Sequence, residues 1–216
     1  MKNHFEKYTV NCVSSLRWFL LSFLFALLPL KGFSQVNSYT FSESLVGYTP
    51  LVGGTTAYAA PWDDHTTGAA VQVTLPFTFT YDYNSYTQFF ISPNGFITFG
   101  ATQPNAGNYL PIANATAHNG VISAFGVDLV SNGSNITYGV IGTAPNRTMV
   151  IQWANAARKA SPGDFNFQIR LNETSNTVEL SYGLCTPSGA TNVPVQVGLR
   201  GGSNSLPQGD VQCRLQ

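Results

Sequence analysis

The stretch that decides the fold is Gln88-Phe-Phe-Ile-Ser-Pro-Asn-Gly-Phe-Ile-Thr-Phe99. Two apolar runs flank Pro93-Asn94-Gly95. Asn-Gly tolerates the positive φ angles that a tight hairpin turn requires, so the segment reads as a β-hairpin. Upstream, Val71, Val73 and Leu75 alternate with Gln72 and Thr74. Pro76 breaks that run, and Phe77, Phe79 and Tyr81 begin another. Period-two alternation marks strands with one buried face. Downstream, residues 121–125, 136–140, 147–153, 165–171, 178–182 and 195–199 repeat the pattern between Gly, Pro and Asn turns. The reading is an all-β chain of about ten short strands, packed as a two-sheet, jelly-roll-like sandwich. Trp153 alternates with Met149 and Ile151 and belongs to the core on that pattern. Residues 101–120 and 154–164 are the longest expected polar connections. Loops at the ends of a sandwich are where binding residues usually sit.

Ahead of these strands the chain changes character. Lys2, Lys7 and Arg17 precede the apolar run Trp18–Leu30, and Gly32-Phe33-Ser34 follows it. A charged start, a short apolar centre and a small-residue exit are the parts of a secretory signal peptide. The run of 13 residues is short of the roughly 20 that cross a bilayer as a helix. The signal is therefore expected to be residues 1–34, a helix removed between Ser34 and Gln35, with no stable membrane insertion afterwards. The sandwich is placed at residues 35–203. Residues 204–216 read as a linker-like tail that breaks off as a truncated frame or fragment would.

Composition supports a folded, exported domain. Hydrophobic residues make up 44% of the 216 residues and charged ones only 9%. Disorder needs the opposite balance. Without the signal, six basic and nine acidic residues remain, a net charge of about −3. With no Lys/Arg cluster, nucleic acid and anionic membranes are not expected partners. Cys185 and Cys213 stay in the mature chain; an exported pair can form a disulfide, and two free thiols are the alternative. Their spacing matches no zinc site.

Several segments, in order, resemble a known module. They are Ile91-Ser-Pro-Asn-Gly-Phe-Ile-Thr-Phe-Gly100, Gly142–Trp153 with its Ala-Pro-Asn-Arg turn, Asn166–Glu173, Val178–Gly183 and Val197-Gly-Leu199. Together they resemble an N-terminal β-sandwich module of large secreted and surface proteins of the Bacteroidota, over roughly residues 38–203. The resemblance implies an adhesin-like interaction role at an extracellular glycan or protein surface, and export by type IX secretion. In such proteins further sandwich repeats and a C-terminal sorting domain follow the module; here the sequence stops soon after it.

Three groups of residues could carry chemistry. Trp62-Asp63-Asp64-His65 is the densest polar–aromatic cluster. It could stack on a sugar and hold its hydroxyls, or give oxygens to Ca²⁺, if it lies in a loop. The bland alternative is a solvated loop. Asp128, Arg147 and Glu173 stand at strand ends and could form a structural ion-pair network, or else line a polar pocket. Neither His65 nor His118 lies in a nucleophile motif, and no motif selects a carboxylate pair among Asp63, Asp64, Asp128, Glu173 and Glu179. The chain therefore reads as a non-catalytic interaction module with no cofactor. A carbohydrate-binding module is the alternative, and a glycoside hydrolase is further off. N-terminal sequencing of the exported protein should begin at Gln35; a start at Met1 would mean that the signal stays on.

Overall fold

The computed structural model describes residues 36, 39–66, 68–100, 103–113, 120–188 and 193–201, and the backbone of residues 211–214. The expected signal and the Ser34–Gln35 junction lie outside the described residues. The strands are β1 (Thr55–Tyr58), β2 (Val71–Tyr81), β3 (Asn84–Ser92), β4 (Phe96–Thr98), β5 (Val121–Gly126) and β6 (Leu129–Ser131). They continue with β7 (Ile136–Ile141), β8 (Thr148–Arg158), β9 (Gly163–Asn172), β10 (Val178–Pro187), β11 (Gln196–Arg200) and β12 (Val211–Arg214).

All pairings are antiparallel and build two six-stranded sheets. The first has the order β1-β7-β8-β9-β10, with β6 pairing the second half of β8. The second has the order β12-β11-β5-β4-β3-β2. The all-β sandwich expected from the alternation is the architecture observed.

The two inner faces share one apolar core. Val73, Leu75, Phe77, Phe79 and Tyr81 of β2 all point inward, and so do Phe89 and Ile91 of β3. The first sheet supplies Met149, Ile151 and Trp153 from β8, and Phe165, Phe167, Ile169 and Leu171 from β9. Trp153 is fully buried and stacks on Phe167 at 5.1 Å between ring centroids. Each fully buried large side chain contributes about 1.5–3 kcal/mol through area removed from water.

Three local readings are corrected. Pro76 does not divide two strands: β2 runs through it, with alternation intact and the register shifting between Thr74 and Phe79. β2 is an edge strand, where a residue without an N–H costs no ladder bond. Residues 154–158 continue β8 rather than opening a long loop; Asn155, at φ +45°, takes up a bulge opposite β9. Val211–Arg214, inside the stretch read as a linker-like tail, pairs with β11 as a strand.

The hairpin that opened the reading is present with a three-residue tip, because Ser92 pairs with Phe96. Gly95 alone of the three tip residues has a positive φ, +81°. Its carbonyl accepts the N–H groups of Ala124 and Phe125, both at 3.1 Å. A Cβ at this position would lie 2.2 Å from the Phe125 carbonyl oxygen. The tip therefore needs glycine for its backbone angle and for the close approach of β5. Gly95→Ala is expected to destabilise the domain by about 3 kcal/mol or more. Urea unfolding measures this; a loss under about 1 kcal/mol would mean that β5 can move away at little cost.

Candidate functional site

The sandwich has two ends. β8 spans roughly 35 Å between them, with Arg147 just before it and Lys159 just after it. The strand-end residues that the sequence grouped together divide between these ends. Arg147 and Glu173 form a bidentate pair at one end. Nε meets Oε2 at 2.7 Å, an amino group meets Oε1 at 2.6 Å, and the Arg147 backbone N–H also donates to Oε2. The guanidinium lies over the Phe77 ring of the other sheet, 5.4 Å from its centroid. Its hydrogen bonds hold Glu173 below the usual carboxylate range. Asp128 is not part of this pair. Its carbonyl accepts the Lys159 N–H at 3.0 Å, which puts it at the far end.

At that far end, several connections converge. The β1–β2 loop carries Trp62 to His65, and these four side chains part company. Trp62 is buried at 6% exposure; its Nε1 donates to Ser134 O, and its own carbonyl accepts the Ser131 N–H, both at 2.7 Å. It anchors the loop to the first sheet and presents no free face for a sugar, contrary to the stacking reading. Asp63 points outward and pairs with Lys159 at 2.9 Å. Asp64 accepts Asn94 Nδ2 on one oxygen and the Tyr109 hydroxyl on the other, both at 2.9 Å. His65 turns inward, with Nε2 2.9 Å from Pro104 O and its ring near Tyr58. The imidazole thus meets a backbone carbonyl, not a nucleophile.

The hub of this end is Asn94, to which the sequence reading assigned only a turn role. It is fully buried. Nδ2 serves Asp64 and, at 3.3 Å, Ala106 O; Oδ1 accepts the Leu129 N–H at 2.9 Å. Its neighbour Pro93 offers its carbonyl to Trp153 Nε1 at 3.0 Å. Gly95 already meets the turn's need for positive φ. In the sequence the Asn-Gly pair reads as turn chemistry, which hides the second role of Asn94.

The end is acidic and only partly compensated. Carboxylate oxygens of Asp63, Asp64 and Asp128 all lie within 4.8 Å of one another. These are hard oxygen donors of the kind that hold Ca²⁺. Asp63 is already engaged by Lys159, and both Asp64 oxygens accept hydrogen bonds. A cation would therefore have to compete with an ion pair and two donors. Burial raises the Asp128 pKa first of all; Lys159 opposes this, and Asp64 and Asp63 add to it. Its Oδ1 is buried with no hydrogen-bond partner among the described residues. Burial, with Asp64 beside it, pushes the Tyr109 hydroxyl up to about 12, so it stays a neutral donor at ordinary pH.

Of the two readings left open for Cys185 and Cys213, a bridge or two thiols, Cys185 takes the second. Cys185 is a free thiol, 3.7 Å from Asn166 O on the neighbouring strand, and the Cys213 side chain lies outside the described residues.

Asp128 gives this end a pH signature. The native state binds its proton more tightly than the unfolded chain, whose value is near 3.8. Its contribution to stability therefore falls as pH rises from there through the raised native value, and its full cost is present at pH 7. Asp128→Asn should raise Tm at pH 7 by about 1–3 °C. Thermal melts should show the gap closing as the pH approaches 4; a variant that melts lower at pH 7 would mean that Lys159 outweighs burial.

No curated protein and no solved structure matches the chain. A family model described as NIDO related matches residues 38–212, which takes in every strand from β1 to β11 and the start of β12. The chain therefore belongs to the NIDO-related family.

Proposed function

We propose that the domain is a non-catalytic interaction module of an exported protein, adhesive in role, which meets an extracellular glycan or protein surface. The observation that carries this reading is membership of a family of extracellular type across most of the chain. The expected signal peptide agrees with it, and the segment resemblance extends it to surface proteins of the Bacteroidota exported by type IX secretion. Among the described residues no helix is long and apolar enough to cross a membrane.

The geometry suits such a role. Buried hydrogen bonds lock the loop ends onto both sheets, so a partner would meet a preorganised surface rather than order one. Of the carboxylates that a glycosidase reading would use, Asp63 is engaged by Lys159, Asp64 by Asn94 and Tyr109, Glu173 by Arg147 and Glu179 by Arg170. Asp128 alone keeps a buried oxygen without a partner among the described residues, and the reaction needs two carboxylates. The test is saturable binding of the labelled exported protein to whole cells, and to arrays of glycans and matrix proteins. No sugar should be released from the polysaccharides. Sustained hydrolysis that is lost in Asp63→Asn, Asp64→Asn or Asp128→Asn would replace this reading with an enzyme.

A further inference from the structure

Five non-glycine residues among those described adopt left-handed backbone angles, and four of them sit in two turns at the Arg147–Glu173 end. Asp82 and Tyr83, at φ +50° and +56°, form the two-residue loop between the paired residues Tyr81 and Asn84. Thr174 and Asn176, at +48° and +51°, shape the β9–β10 turn. A two-residue hairpin loop with both angles positive favours Asn and Gly, and a bulky residue there is strained.

Three of the four offset that strain inside the fold. Asp82 is buried, and its N–H donates to the Tyr39 hydroxyl at 2.8 Å. Asn176 Oδ1 accepts the Thr80 N–H at 2.7 Å, which ties the two turns together across the sandwich. Thr174 Oγ1 donates to Pro145 O at 2.5 Å. Tyr83 does none of this. Its side chain is 82% exposed and makes no hydrogen bond among the described residues. A large aromatic ring is held in a strained backbone position where packing gives it almost nothing. The turn under it is nevertheless stiff, since Asn84 Nδ2 closes back on Asp82 O at 2.8 Å.

We infer that Tyr83 is the aromatic anchor of a binding site for a neutral glycan; this rests on the interaction-module reading and gives it a site and a ligand class. A tyrosine ring offers a flat apolar face and a polar tip, which match the C–H face and the hydroxyls of a sugar. Besides Tyr83, the exposed side chains of the two linked turns include the amide and hydroxyl groups of Asn84, Ser85, Thr174 and Ser175. Of the charged groups at this end, Asp82 is buried beneath the turn, and Arg147 and Glu173 neutralise each other. Such a surface suits uncharged hydroxyls better than an acidic or basic ligand. The rigid turn presents the ring without further ordering cost.

The experiment uses the exported full chain and four neutral polysaccharides: cellulose, xylan, mannan and starch. Binding to at least one of them is expected. Tyr83→Gly should weaken it by at least about tenfold, while Tyr83→Trp keeps it. Because glycine suits the backbone angle, Tyr83→Gly should melt no lower than the native protein. Binding to none of the four overturns the glycan site. So does binding that Tyr83→Gly leaves unchanged, and so does a Tm drop of more than about 3 °C, which would show that the ring serves the fold. Whole-cell binding measured in parallel separates the two levels. Cells bound without any polysaccharide would leave the interaction module standing and end the glycan proposal; cells left unbound as well would remove both.

Discussion

The structure depends most on the way the β3–β4 hairpin tip is fastened between the two sheets. Pro93, Asn94 and Gly95 belong to the second sheet, yet bonds from Pro93 and Asn94 run to the first. Pro93 O takes the indole N–H of Trp153 in β8, and Asn94 Oδ1 takes the N–H of Leu129 in β6. Gly95 O receives two N–H groups of β5 just before the chain crosses to β6. A sandwich core is held by non-directional burial, which tolerates sliding. These directional bonds, in a water-excluded place, fix the sheets against each other at one end. The far-end loops inherit their positions from them, because Asn94 also holds Asp64 and Ala106.

The outer face of the first sheet follows a similar logic. Gln152 and Gln168 are buried although they point away from the core. Gln152 Oε1 accepts the Leu51 N–H at 2.7 Å, and Gln168 Nε2 donates to Thr49 O at 3.0 Å and to Gln152 Oε1 at 2.8 Å. An irregular segment around residues 48–51 is thereby laid over β8 and β9. It carries polar backbone groups that no strand partner satisfies, and the two glutamines satisfy them. Tyr48 lies against Gly183 in the same layer, so closely that a Cβ there would come within 2.8 Å of its ring.

The two ends of the sandwich differ in how charge is handled. Arg147 and Glu173 match fork to fork and neutralise each other. At the other end, three carboxylates share one lysine, and the surplus is carried by amide and phenol donors and by a raised Asp128 pKa. The sequence grouped Asp128 with Arg147 and Glu173 because all three stand at strand ends. Which end each occupies depends on the direction of β8 and on the sheet crossing at Asp128, and neither has a local signature. Trp62 was misread for a related reason: a Trp beside two Asp residues looks like a binding loop, but the neighbouring β6–β7 loop buries it.

Alternation between turn signals determined that this chain is an all-β sandwich and which strand residues face its core. The period of two is a property of the backbone, and apolar burial selects the same face wherever the strand lies. That is why Val73 through Tyr81, Met149 through Trp153 and Phe165 through Leu171 were legible. The hairpin at Pro93-Asn94-Gly95 was legible too, since turn chemistry is local. Only the tertiary structure decided that Asn94 is a buried hub, that Asp63, Asp64 and Asp128 meet, that Cys185 stays free, and that Tyr83 stands exposed on a strained turn. Each of these depends on which distant segment arrives beside the residue, and that is set by the packing of the sheets rather than by neighbours along the chain.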